Sequence, residues 1–288
     1  MQPHADALDM APLPSATVVL LRDGAAGLEV CLLKRHGLSD VLGGAYVFPG
    51  GKVDRFDAEH AAQLDMDAST LAVRLGEAQL DAAQAAALHV AALRELFEET
   101  GVLLTSIEAS QAEAAWARLR EGLSFAELVD RQRLQLHASR MLPWSRWVTP
   151  LVGGVVRKRF DTRFFVAALP DGQRAQHDGH EAVECLWLAP RAALQAYWDG
   201  AMALAPPQIM SLAHLAQHAS VASVFGEARS RTPPLVQPES FEEGGTRVLC
   251  YPGDERHSVR TRALPGPTRL YWRAPRFEPA GGLGALTG

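Results

Sequence analysis

The sequence is poor in the features that mark several specialised protein classes. It has three cysteines in 288 residues, Cys31, Cys185 and Cys250, far apart, with no CxxC pair and no even-numbered framework. That excludes a disulfide scaffold and a zinc cluster and indicates a reducing compartment. No apolar run is long enough to span a bilayer. Residues 1–14 lack the basic and apolar regions of a secretory signal, and the final Leu286-Thr287-Gly288 is not a peroxisomal tripeptide. Excess basic charge is also missing. A formal net charge of -5 and a pI near 6.1 argue against a dedicated nucleic-acid or membrane-surface binder. The ten histidines show no ligand spacing. The expectation is a soluble, cytoplasmic protein with a small-molecule partner, its subunit count open between monomer and homodimer.

What is present is a core. With 48% hydrophobic residues, the chain suits one elaborated domain, or one domain with a small appendage. Residues 16–21 and 28–33 are β-rich runs joined by Asp23-Gly24-Ala25-Ala26-Gly27, a hairpin signal. Residues 57–79 have helix-favouring composition. Residues 80–100 read as one long helix, with Asp81 as cap and Gly101 just past its end. A strand is expected at 102–104 and a helix over 111–134. Strands are expected at 147–150, 162–168 and 184–188, and helices at 190–197 and 208–225. Two short apolar runs, 247–251 and 268–273, follow in a Pro- and Gly-rich tail. Alternating helices and strands indicate an α/β or α+β domain.

The chemistry concentrates in Arg94-Glu95-Leu96-Phe97-Glu98-Glu99-Thr100-Gly101-Val102. Helical residues advance by about 100° each, so Glu95, Glu98 and Glu99 project on one face within about one turn. Three carboxylates that close repel one another, and a divalent cation at their centre removes the penalty. An all-oxygen set suits Mg2+ or Mn2+ rather than zinc. Arg94 stands four residues before Glu98 and can hold that carboxylate. The competing reading is a solvated acidic helix end. Against it, Glu98 and Glu99 occupy the last turn, where the helix dipole disfavours anions. Phe48-Pro49-Gly50-Gly51 supplies paired glycines that let the backbone approach a ligand closely.

These two segments resemble the Nudix box, G-x5-E-x7-R-E-U-x-E-E-x-G-U, where U is a bulky aliphatic residue. Gly51 matches its first glycine, and Arg94 to Val102 match its second half. The first glutamate falls on Asp57 or inside an insertion. Gly51 and Arg94 stand 43 positions apart, about 29 more than the pattern allows, an interruption that loop-closure entropy tolerates. The interrupted box resembles the branch related to peroxisomal coenzyme A diphosphatases. So do Trp147-Val148-Thr149-Pro150, Arg159-Phe160-Asp161-Thr162-Arg163-Phe164-Phe165 and Leu204-Ala205-Pro206-Pro207-Gln208. Of the further coenzyme A motif L-L-T-x-R-[SA]-x3-R-x3-G-x3-F-P-G-G, Leu32, Leu33, Gly44 and the Phe48–Gly51 stretch fit. Lys34-Arg35 falls one residue short of the spacing, and Asp40 stands where the second arginine belongs.

The resemblance implies a Nudix fold, a mixed β-sheet between helices. The Nudix domain would cover residues 15–204 with an inserted helical segment near 57–79, preceded by a loose arm and followed by an extension, 205–288, packed on it. It implies hydrolysis of a pyrophosphate in a nucleoside diphosphate linked to another group, with Mg2+ or Mn2+ as cofactor. Coenzyme A or acyl-coenzyme A is favoured over ADP-ribose, NADH or another dinucleotide. A non-catalytic nucleotide-binding module is the reading from another class, and the intact box carboxylates disfavour it. Arg94, Glu95, Glu98 and Glu99 are the expected catalytic residues. Glu95, Glu98 and Glu99 are the expected metal ligands, with Gly51 and Glu181; Glu181 is preferred to Glu184. Arg35, Arg157, Arg159 and Phe48 are the expected substrate contacts, and the Arg157–Arg159 run has a solvated hairpin end as its plainer reading. Asp254 and His257 read as a turn, and Trp144 and Trp147 as packing.

Overall fold

The computed structural model describes residues 11–38, 42–150 and 158–288. The chain opens with β1 (Leu13–Gly24) and β2 (Gly27–Arg35), the expected hairpin. Next come β3 (Tyr46–Val47), β4 (Gly50–Lys52), α1 (Arg55–Glu59), α2 (Ala68–Leu75) and α3 (Ala82–Thr100). Helices α4 (Ala109–Arg120) and α5 (Phe125–Gln132) precede β5 (Met141–Val148), β6 (Phe160–Ala168) and β7 (Ala182–Leu188). Then follow α6 (Pro190–Trp198), α7 (Pro206–Leu215), α8 (Val221–Ser230) and β8 (Leu235–Val236). The chain closes with β9 (Glu239–Glu243), β10 (Thr246–Cys250), β11 (Arg269–Arg273), β12 (Arg276–Glu278) and α9 (Gly284–Thr287).

The main sheet is mixed, in the order β3-β2-β1-β6-β5-β8, with β4 on β1 and β7 on β2. Strand β1 runs parallel to β6 and antiparallel to β2 and β4. Side chains alternate across a strand, and in β1 both alternating sets are buried. Val18 and Leu20 face α3 together with Leu88, Leu93 and Phe97. Val19 and Leu21 face the other way, toward Trp144, Leu212 and Ile209. The sheet therefore lies between helices on both faces. Beyond α8, β9 to β12 form a second, antiparallel sheet, larger than the two short apolar runs suggested.

Helix α3 has the expected ends. Asp81 and Gln84 form a capping box, and Gly101 closes the helix in the left-handed region (φ 73°). A Cβ on Gly101 would stand 2.8 Å from the Trp116 ring, so glycine is required there on two counts. The insertion packs beside this helix, with Leu71 and Leu75 of α2 buried in the same core as Leu88.

Several expected elements differ. No strand forms at 102–104. The Leu103 N–H and carbonyl are instead paired with the Gln173 side-chain amide at 2.8 and 2.9 Å, which satisfies that backbone without a neighbouring strand. The helix expected over 111–134 is two helices, broken at Gly122 (φ 101°) and restarted by a Ser124–Glu127 capping box. The helix expected over 208–225 is likewise two, the second capped by Ser220. The strand expected at 147–150 starts earlier, at Met141. Of the expected N-terminal arm, residues 1–10 lie outside the described residues, and β1 already begins at Leu13.

Candidate active site

Strand β4 delivers Gly50 and Gly51 to the last turns of α3. The Gly50 N–H donates to Glu99 Oε2 at 3.0 Å. A Cβ on Gly51 would lie 2.4 Å from Glu95 Oε1, and one on Gly50 would lie 2.4 Å from the Ala16 carbonyl oxygen. Both glycines are thus dictated by close approach.

Arg94 is the hub of the site. Its Nε and Nη2 donate to the two oxygens of Asp57 at 2.9 and 3.0 Å, and Nη2 also donates to the Lys52 carbonyl at 2.9 Å. Its Nη1 donates to Glu95 at 2.7 Å and Glu98 at 3.0 Å. Asp57, 0% exposed, is fixed in turn by a reciprocal capping box with Asp54 at the start of α1. This places Asp57 at the first acidic position of the box, as the anchor of Arg94. The 29-residue interruption follows it.

The Arg94 guanidinium is shared by Asp57, Glu95 and Glu98 and lies 4.0 Å from Asp54, while Glu99 adds a further carboxylate on the same helix end. Burial pushes Glu95 up to about 7; Arg94 opposes this, while Glu98 and Glu181 reinforce it. Burial also raises Glu98 against the pull of Arg94. Burial, then the charge of Glu95, raises Glu99 well above the usual range, against the Gly50 N–H. The Arg94 guanidinium is lowered by burial but carried higher overall by Asp57 and the two glutamates. An excess of buried negative charge is the electrostatic signature of the site.

Two residues from outside the box bear on it. Glu181, exposed just before β7, adds negative potential at Glu95 and Glu99. Arg35, at the end of β2, adds positive potential at Glu99. Its Nε is buried with no hydrogen-bond partner among the described residues. Glu184 is engaged elsewhere, accepting from the Tyr46 hydroxyl at 2.5 Å. Phe48 is 2% exposed and packs edge-on to Phe164 in the core on the face away from α3. The structure therefore makes Phe48 a packing residue, where the sequence suggested a substrate contact. Arg159 donates from Nε to the Thr149 carbonyl at 3.2 Å. Arg157 and Asp40 lie outside the described residues. Asp254 is held by both nitrogens of an Arg269 fork and by Thr268, and Trp144 and Trp147 are buried, as expected of a turn and of packing.

The sequence reading missed a histidine pair. His214 of α7 and His218 just past its end stand four residues apart, and their Nε2 atoms meet opposite oxygens of Glu227 at 2.8 and 3.0 Å. The expectation that no histidines have ligand spacing is corrected here. Among the described residues, this is the one group that brings three potential ligand atoms within 4.8 Å of one another. Glu227 is nevertheless already paired with Arg231, whose Nε donates to it at 2.6 Å and whose guanidinium lies over the Trp144 ring. Its charge is balanced without a metal. In the box, by contrast, Glu95 and Glu98 turn toward Arg94, and Glu99 toward Gly50.

A sheet between helices, a glycine loop docked on a helix end and an arginine-anchored carboxylate cluster define a class of protein, the Nudix hydrolases. The profile of the NUDT19 Nudix domain matches residues 69–215, half of the chain, and the protein belongs to this Nudix hydrolase family. It is 26% identical over 231 residues to acyl-coenzyme A diphosphatase NUDT19 of Xenopus laevis, an alignment covering 67% of this chain and 61% of the frog protein. It is 26% identical over 239 residues to the human protein of the same name, covering 69% of this chain and 64% of that protein. The chain thus spans less than two thirds of the length of either relative. Among solved structures, a NUDIX hydrolase from Alicyclobacillus acidocaldarius superposes with a TM-score of 0.61 at 27% identity, over 77% of this chain and 97% of that one. Among the described residues, no helix is long and apolar enough to cross a membrane.

Proposed function

We propose that the protein hydrolyses the pyrophosphate bond of coenzyme A or an acyl-coenzyme A, giving 3′,5′-ADP and the (acyl-)4′-phosphopantetheine. The observation that carries the hydrolytic reading is the charge imbalance at the box, where Asp57, Glu95, Glu98 and Glu99 outnumber the guanidinium of Arg94 and the more distant positive potential of Arg35. The donor set is oxygen throughout, Glu99 is buried and Glu95 and Glu98 are partly so, and a Cβ at Gly51 would press on the Glu95 carboxylate, so the residues fit Mg2+ or Mn2+. Glu95, Glu98 and Glu99 would hold the ions, with the Gly51 carbonyl and Glu181 completing the set. Bound there, such ions supply charge neutralisation on the pyrophosphate and a lowered pKa for an attacking water.

The chain's own residues do the rest. Asp57 holds Arg94, and Arg94 holds Glu95 and Glu98 in register on one face of α3. Gly51 keeps the backbone clear of Glu95. Arg35, beside Glu99, is the cation best placed to meet a substrate phosphate, since arginine meets phosphate with two parallel hydrogen bonds. Arg157 and Arg159 are proposed as further phosphate contacts. Support for the coenzyme A substrate comes from the names of the frog and human relatives and from the Trp147–Pro150 and Arg159–Phe165 segments.

The test compares coenzyme A, 3′-dephospho-coenzyme A, ADP-ribose and NADH with Mg2+ or Mn2+, identifying products by mass. The expected outcome is preference for coenzyme A over its dephospho form. Preference for the dephospho compound or for ADP-ribose overturns the substrate. Inactivity toward all four overturns the enzyme reading in favour of a binding module.

A further inference from the structure

We propose that Cys31 and Cys185 form an oxidisable dithiol, a modification site at which a hydroperoxide joins them in an intramolecular disulfide that staples β2 to β7. Two of the three cysteines, 154 residues apart in sequence, have their Sγ atoms 3.4 Å apart. The strand register pairs Cys31 with Trp187 and Leu33 with Cys185, so the two thiols are diagonal neighbours on one face of the sheet. That face is the one covered by α3. A disulfide needs Cβ vectors that converge; the two Sγ atoms already meet, and closing them from contact to bonding distance calls for a small rotation of the two side chains and an adjustment of the strand pair. Both strands are held in the sheet, so the thiols stay within reach of each other.

The environments of the two sulfurs set the order of events. Cys31 is 0% exposed, whereas Cys185 is half-buried and open to a small oxidant. The contact with Cys31, then the charge of Arg22, lowers the Cys185 thiol despite its burial. The Cys31 thiol is raised by the same contact and by burial. Cys185, as thiolate, attacks one peroxide oxygen and the O–O bond breaks. The departing alkoxide takes a proton to leave as an alcohol, and Cys185 becomes a sulfenic acid. Cys31 then attacks the Cys185 sulfur, the S–O bond breaks, and water departs with the Cys31 proton. In sum two thiols lose two electrons, and the hydroperoxide is reduced to alcohol and water. The product links the strands whose ends carry Arg35 and Glu181, without using any residue assigned to hydrolysis. Cys250, 1% exposed and in the second sheet, is the internal control.

The test exposes the reduced full chain to hydrogen peroxide, followed by alkylation and mass analysis. The expected result is a loss of about 2 Da and a cross-linked peptide containing Cys31 and Cys185, with Cys250 still free. Thermal stability should rise, because a long loop of the unfolded chain is closed, and dithiothreitol should reverse both changes. In C31A, Cys185 should stop at a sulfenic acid that dimedone traps; in C185A, Cys31 should stay unmodified. Intact Cys31 and Cys185 thiols under peroxide conditions that oxidise the partly exposed Met66 would overturn the proposal. So would disulfides only between chains, which the wild-type protein reveals without any variant.

Discussion

Two ionic clusters bracket the insertion, and they are built on opposite principles. At its start, Asp57, Glu95 and Glu98 share the guanidinium of Arg94, and Glu99 adds a fourth carboxylate that accepts from the Gly50 N–H and feels the positive potential of Arg35. At its end, Glu77 binds Arg146 at 2.8 Å and Arg163 at 2.6 Å, while Asp161 binds the same two arginines at 2.7 and 2.9 Å. The second cluster has two charges of each sign and satisfies itself. The first holds a surplus of negative charge, and its glutamates are pushed upward in pKa, first by burial and then by the neighbouring carboxylates. Both clusters tie the insertion to the domain. Only the unbalanced one would gain from a divalent cation, which is why it is the one proposed as the functional site.

Neutralising one carboxylate should therefore have opposite consequences in the two places. At the box, Glu98→Gln or Glu99→Gln should lower turnover by about two orders of magnitude or more, as loss of a principal charge-stabilising group does. Stability in chelator should hold or rise, because repulsion is relieved. Steady-state kinetics alongside urea unfolding reads both, and full activity of Glu99→Gln would break the comparison. At the balanced cluster, Glu77→Gln leaves the largely buried Arg163 with less of its compensation. It should cost about 3–5 kcal/mol of unfolding free energy while the surviving folded protein keeps its turnover. A Glu77→Gln protein of unchanged stability would show that its ion pairs do not hold the insertion.

His89 offers a third case, a buried polar group that becomes an unbalanced charge only in acid. It is 0% exposed in α3, its Nδ1 is hydrogen-bonded to the Ala85 carbonyl and its Nε2 has no hydrogen-bond partner among the described residues. Burial lowers it to about 4, against a small opposing effect of the Ala85 carbonyl. The folded pKa lies below the unfolded value, so the unfolded chain binds the proton first. The stability involved is fully present above about pH 6.5 and is lost as pH falls toward 4, by about 3 kcal/mol. Urea unfolding at several pH values should show His89→Gln with a shallower acid slope than wild type; equal slopes would contradict this account of the site.

Much of this was legible in the sequence where one residue's requirement is local. Asp81 and Gly101 bounded α3, the β-rich runs at 16–21 and 28–33 marked the β1–β2 hairpin, and Arg94 to Val102 carried the half of the box now proposed as the active site. What escaped the reading depends on residues distant in sequence. Gln173 supplies the partner that a strand at 102–104 would have needed. Asp57 reaches Arg94 across 37 positions, so although its capping box with Asp54 is local, its pairing with Arg94 gives no signal in a linear pattern. Glu77 looks like one more acidic residue in a polar segment until β5 and β6 bring Arg146 and Arg163 beneath it. His214 and His218 did have a local signal, the four-residue spacing, but their shared partner Glu227 lies on the next helix.

Direct binding of Mn2+ to the purified protein, followed by electron paramagnetic resonance and titration calorimetry, tests the central claim most closely. The surplus of carboxylates at the end of α3 should bind Mn2+ in the wild type and in Glu77→Gln alike. Replacing Glu98 and Glu99 together with glutamine should weaken that binding by at least about tenfold, a change of about 1.4 kcal/mol. Equal Mn2+ affinity in the wild type and the doubly substituted box would contradict the account.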